Sequence, residues 1–208
     1  VALQIPKNNV YSILHSLVTC TINDSMKKTA IGSVELSSVA AGFAVVDVML
    51  KAADVELLIA RTICSGKYLA LIAGAVADVR AAVAAAVTAG GDAVIDTCVL
   101  PNIHPDVFPA IAGNQGAEKG DALGVLESFS VAALIEAADA AVKAADVKLM
   151  EIRLAMALGG KAYFLLTGSV AHAEAAVTAG AAVLEERGVL VHRVVIPRPR
   201  PELYNEII

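Results

Sequence analysis

Cys64 is the residue in this chain best placed to do chemistry. It stands in Thr62-Ile63-Cys64-Ser65-Gly66-Lys67, between two apolar runs, where Ser65 and Gly66 offer little side chain to shield a thiol. A thiolate is a nucleophile and a soft-metal ligand, and a turn between strands is exposed by default. One thiolate cannot hold a cluster: a [4Fe–4S] centre takes four ligands, usually cysteine. Cys98 lies inside a Val/Leu run and reads as a small buried hydrophobe, while Cys20 sits in a segment unlike the rest. Three scattered cysteines are no disulfide framework and fit a reducing cytosol.

The remaining candidates are weaker. His15, His104, His172 and His192 show no metal-ligand spacing. Gly159-Gly160-Lys161 lacks the upstream glycine and the following Ser or Thr of a phosphate loop. Lys51 and Lys143 each follow an aspartate, Asp47 and Asp139, by one helical turn. Such pairs contribute about 0.3–0.5 kcal/mol each as helix-surface charges. Glu35 and Glu127 fall at equivalent strand positions, which suggests a structural role. No Ser/His/Asp or Cys/His constellation emerges, so an enzyme is not expected.

The chain that must position Cys64 has 208 residues, 57% of them hydrophobic and 18% charged. That apolar excess, largely Ala and Val, points to extra buried surface of the kind an obligate oligomer has. Charges such as Asp47, Lys51, Asp78 and Arg80 interrupt every apolar run before the ~18 residues of a membrane helix. A net charge of −5 without a basic cluster leaves nucleic acid no electrostatic footprint. Neither a membrane nor a nucleic-acid partner is expected.

The strongest organisational signal is a duplication. Ile31-Gly32-Ser33-Val34-Glu35 matches Leu123-Gly124-Val125-Leu126-Glu127, and Asp47 to Val55 matches Asp139 to Val147, at a constant offset of 92. The offset grows to 94 at Gly66-Lys67 against Gly160-Lys161, so the second copy is two residues longer between them. It is 96 at Pro101 against Pro197. Each copy reads strand, helix, strand, turn, strand, helix, strand. In the first copy these are 30–36, 42–53, 55–63, the turn 64–66, 67–73, 77–89 and 94–100. The order β-α-β-β-α-β is a ferredoxin-like unit. The expected division is an N-terminal extension over 1–29, a first domain over 30–112, a linker over 113–120 and a second domain over 121–208. The extension reads as an appended segment or a docking helix, with Met26-Lys27-Lys28 as a natural start, and it makes a poor secretory signal.

Strand Ile-Gly-x-x-Glu, helix Asp-x-x-x-Lys-Ala-Ala, a hairpin ending in Gly-Lys, an Ala-rich helix and a closing Ile-Pro-Arg-Pro together resemble the bacterial microcompartment (BMC) shell domain. The likeness covers both copies in unpermuted order, from about Ala30 to the C-terminus. With Cys64 and Asn102-Ile103-His104-Pro105 it is most similar to the iron–sulfur tandem type known from propanediol-utilisation compartments. The resemblance implies an α+β fold of two tandem domains in a homotrimeric pseudohexamer. Such tiles meet other shell proteins edge to edge in a shell lying in the bacterial cytoplasm. It implies a central pore lined by Ser65, Gly66, Met156, Ala157, Leu158 and Gly159. It implies tile-edge contacts through Lys51, Lys143 and Arg198, with Asn102 standing where Arg198 stands in the second copy and His104 as a substitute.

Three-fold symmetry would gather three Cys64 thiolates on one axis. The resemblance therefore implies one [4Fe–4S] cluster per trimer, three-liganded by Cys64, passing electrons across the shell to lumen or cytosolic redox enzymes. Two other readings stand beside it. One is a tile whose open pore passes metabolites with no cluster. The other is a ferredoxin-like regulatory protein that binds a small molecule.

Overall fold

The computed structural model describes residues 28–113, 120–155 and 158–205. The extension over 1–27, linker residues 114–119 and the proposed pore residues Met156 and Ala157 lie outside the described residues.

The first repeat runs β1 (Ala30–Leu36), α1 (Val39–Ala52), β2 (Val55–Ile63), β3 (Lys67–Gly74), α2 (Val76–Gly90) and β4 (Val94–Pro101). A short helix, α3 (Val107–Ala112), follows. The second repeat runs β5 (Ala122–Ser128), α4 (Val131–Ala144), β6 (Val147–Leu154), β7 (Ala162–Gly168), α5 (Val170–Glu186) and β8 (Leu190–Pro197). It ends in α6 (Pro201–Asn205). The two antiparallel sheets have the same order, β2-β3-β1-β4 and β6-β7-β5-β8. Even their register shifts correspond, at Leu57/Ile59 and Leu149/Glu151. The ferredoxin-like expectation holds for both copies.

Local chemistry sets the helix ends. Ser38 and Ser130 accept hydrogen bonds from the backbone N–H groups of Ala41 and Ala133, so α1 and α4 begin right after them. The residue pattern alone places the start of the first helix at Gly42; the Ser38 cap brings it forward to Val39. The short helices α3 and α6 were not expected, since each lies beyond the last strand of its repeat.

Each repeat buries one sheet face under two helices, with Val34, Val45, Met49 and Ile72 in the first core. The second core is larger because it is shared. Ile31, Ile63, Leu69, Leu71, Val107 and Ile111 of the first repeat join Leu134, Ile135, Ile152 and Phe164 of the second in one apolar cluster. Helix α3 packs against β6, and β4 against α4, so the first repeat's C-terminal end covers the second repeat's edge.

Candidate functional site

The β2–β3 hairpin closes over Cys64–Gly66, a single 3-10 turn. Ser65 and Gly66 both take left-handed backbone, φ 67° and 73°. A side chain on Gly66 would meet nothing within 4 Å, so glycine is there for its torsion rather than for space. The turn faces its counterpart in the second repeat, where Ala155, Gly159 and Gly160 are also left-handed.

The two turns are joined by hydrogen bonds. The Cys64 N–H donates to the Ala155 carbonyl at 2.9 Å. The Leu158 N–H donates back to Cys64 Sγ at 3.4 Å. Cys64 is therefore half-buried. This corrects the expectation of a bare hairpin tip, because the longer second turn folds onto the thiol. Cys64, Ser65, Ile63, Phe129 and Val131 line a cavity of about 50 Å³ beside it, together with the Glu35–Lys67 pair. Lys67 Nζ lies 3.3 Å from Glu35, and Lys161 Nζ lies 2.9 Å from Glu127 in the equivalent pair. The shared position of Glu35 and Glu127 thus has an explanation: each neutralises the lysine that follows its repeat's hairpin turn.

Of the expected pore residues, Ser65, Gly66, Leu158 and Gly159 sit in these two apposed turns. Cys98 lies elsewhere, on β4 opposite Ser33. It is half-buried, and burial pushes its thiol above the usual range, with the Glu136 and Asp96 carboxylates adding to the rise against Arg187. Among the described residues of one chain, no three His, Cys, Asp or Glu side chains converge as a metal site.

The expected edge residues divide into two sets. Lys143 Nζ donates to the Asn102 carbonyl at 2.6 Å and pairs with Asp139. Asp139 accepts the His104 N–H at 2.7 Å. Lys143, Asn102 and His104 therefore meet where the two repeats join. Lys51 is exposed and pairs with Asp47. Arg198 matches Asn102 in position and in its left-handed backbone, φ 47° against 56°.

Sequence reasoning missed the contrast between equivalent helices. On α4, Val131, Ile135 and Val142 are buried; on α1 their counterparts Val39, Phe43 and Leu50 are exposed. Phe43 is 66% exposed and Ile135 is 0%. The same holds for the closing helices: Val107 is 0% exposed and its counterpart Leu203 is 39%. The available signal was the apolar content of 39–50, which one layer of sheet is too small to cover.

A family model described as the BMC domain matches residues 30–103 and again 122–199. The chain is 44% identical over 179 residues to the bacterial microcompartment shell protein PduT of Citrobacter freundii, covering 86% of this chain and 97% of that one. It is 46% identical over 83 residues to the shell protein EutM of Escherichia coli, covering 40% of this chain and 84% of that one. Among solved structures it is similar to a microcompartment protein from Desulfitobacterium hafniense. That match has 47% identity and a TM-score of 0.83, covering 86% of this chain and 99% of that one.

Proposed function

The chain belongs to the BMC-domain family as a microcompartment shell protein of the PduT type, and from that premise we propose that three copies close head to tail into a pseudohexagonal tile with a [4Fe–4S] cluster on its axis. The tile takes its place among other shell proteins in a shell within the bacterial cytoplasm.

The observation that carries the ring is the bare face of α1. Within one chain the first repeat's end, α3 and β4, covers β6 and α4. The same interface offered by the second repeat, through α6 and β8, has no equivalent acceptor among the described residues of its own chain. The matching surface, β2 and α1, leaves Val39, Phe43, Leu50 and Leu57 exposed. A second copy supplies what each end lacks. Head-to-tail contacts of this kind close into rings or continue as filaments, and the family's hexagonal tile corresponds to six domains from three chains.

Closure gathers the Cys64 turns at the hub. The residues there fit a cluster: one thiol per chain, a backbone N–H already donating to its sulfur, and acid neutralised by Lys67. A bound cluster supplies one-electron transfer. Three Cys64 thiolates would hold such a cluster, one fewer than the four ligands it takes. The chain's own contribution is to hold the thiol at the axis and to wall off the surrounding pore. With a cluster held there, electrons would cross the shell without an aqueous hole, toward redox enzymes in the lumen or the cytosol.

Iron and acid-labile sulfide in an anaerobic preparation decide the point. The expected result is a brown trimer with about four irons per three chains, whose broad visible absorption Cys64→Ser removes while the trimer persists. A colourless, iron-free trimer after anaerobic reconstitution would reject the cluster and leave a metabolite pore. A discrete monomer that binds a metabolite would reject the tile.

A further inference from the structure

The two repeats carry different charges at the end of each sheet remote from Cys64. Val55 pairs with Gly74 there, and Val147 with Gly168, so the two ends correspond residue by residue. In the first repeat Asp54, Glu56 and Asp78 stand at that end. Their counterparts are Asp146, Lys148 and His172. Two residues further along, Arg80 is matched by Glu174, again with the sign reversed. Lys28 pairs with Glu56 at 2.8 Å. Among the described residues, Asp54, Asp78 and Lys148 form no ion pair within the chain. Lys148 and His172 line an open cleft of about 490 Å³ together with Asp121, Asp146 and Ser169.

Folding of one chain accounts for the first set of charges but not for the second. Asp78 sits in the first turn of α2, where the helix dipole favours an acid. His172 takes that place on α5 and forgoes the benefit. Lys148 is exposed and has no acid of its own repeat to hold. Both side chains suit an acid that arrives from outside the chain.

We infer that this cleft receives the Asp54–Asp78 end of a first repeat from another copy, so that every tile edge pairs a first repeat with a second. The inference rests on the trimeric tile proposed above. With Cys64 at the hub, these ends lie about 25–30 Å farther out, the length of nine-residue β2, and form the rim. The six edges then alternate between first and second repeats. In a sheet of identically oriented hexagons each edge faces the neighbour's opposite edge, three places round, which always belongs to the other repeat. Pairing like with like requires adjacent tiles to be rotated, and three mutually adjacent tiles cannot all be rotated relative to one another. First against first also sets Asp54 and Asp78 against the same acids, and like charges in an interface repel. First against second sets them against Lys148 and His172.

The test uses full-length protein concentrated at low salt, where exposed charges are least screened, with sheets viewed by negative-stain electron microscopy. Wild-type sheets are expected to hold one trimer per cell in a single orientation. Lys148→Glu is expected to raise the concentration needed for sheets about tenfold, through weak ion pairs repeated over a tile's edges, while sedimentation still reads trimer. Adding Asp78→Lys restores opposite signs across the edge and is expected to recover the sheets. Asp54→Lys takes its place if circular dichroism shows that Asp78→Lys unfolds the chain. Lys148→Glu sheets at the wild-type concentration, a second reversal without recovery, or a trimer that forms no sheet overturns the inference and leaves the trimer standing. A wild type that stays monomeric overturns the tile and the inference together.

Discussion

Tyr68 packs directly on Gly42, so closely that a methyl group on Gly42 would overlap the ring. The second repeat holds Leu134 and Ala162 at the same two positions. Each repeat fills the same volume between helix and strand from opposite sides. Gly42→Leu alone is expected to overpack and cost at least about 1–3 kcal/mol. Tyr68→Ala alone is expected to leave a void and cost about 3–5 kcal/mol. The double variant installs the second repeat's solution and should recover most of the loss, a strong coupling in a double-mutant cycle by urea unfolding. Additive losses would contradict the volume exchange.

Phe43 and Ile135 separate folding from association. Ile135→Ala removes a fully buried side chain shared by both repeats and should cost about 2–5 kcal/mol of folding stability. Phe43→Asp touches a side chain that one chain leaves in water, apart from its ring contact with Tyr68 at 5.2 Å. It should leave circular dichroism unchanged and shift sedimentation from trimer to monomer. A trimeric Phe43→Asp protein would show that α1 is not the covered face.

Lys143 and Lys51 should likewise differ despite their matched positions. Lys143 holds a carbonyl of the other repeat as well as Asp139. Its partial exposure discounts the bond to about 1 kcal/mol. Lys143→Ala should therefore lower unfolding stability by about that amount. Lys51→Ala removes an exposed ion pair and should change chain stability by less than about 0.5 kcal/mol. In the proposed ring the duplication would set Lys51 against the Arg198 carbonyl of the next copy, so its loss should weaken the trimer instead. Equal effects on unfolding would contradict the assignment.

Much of this was legible in the residues. The matched Ile-Gly-x-x-Glu and Asp-x-x-x-Lys-Ala-Ala stretches gave both sheets and their helices, since alternation and helical spacing are local properties. Cys64 stood out because its neighbours are small. What escaped notice was non-local. That the second turn lies on Cys64 depends on how two sheets dock, and no spacing encodes it. The cap at Ser38 was present in the sequence but hidden by a following run of small residues. The short helices α3 and α6 carry too few residues for a period to show. The contrast between Phe43 and Ile135 needs the docked pair of repeats before it has any meaning.

The last relationship concerns the two ends of the proposed ring. Tyr204 fixes α6 on its own sheet, packing with Leu123, Met150 and Leu165 while its hydroxyl donates to the Gly120 carbonyl at 3.2 Å. That leaves Leu203 outward, where its counterpart Val107 is covered. On strand β2, which would face α6 in that ring, Arg61 has a buried Nε with no hydrogen-bond partner among the described residues, and burial lowers its pKa. Its counterpart Arg153 is paired with Glu151 at 2.7 Å. Strand β2 thus leaves Leu57 exposed and Arg61 without the acid that Arg153 has, and α6 would bring it Leu203 together with Glu202, which within one chain pairs with Arg200. Backbone amides of Val55–Ile63 should gain hydrogen-exchange protection as protein concentration rises, while those of Val147–Leu154 stay protected at any concentration because α3 already covers them. Leu203→Asp should abolish the concentration dependence on β2 and leave β6 untouched. Protection of β2 that is independent of concentration, or that survives Leu203→Asp, would mean that α6 of a second copy is not what covers it.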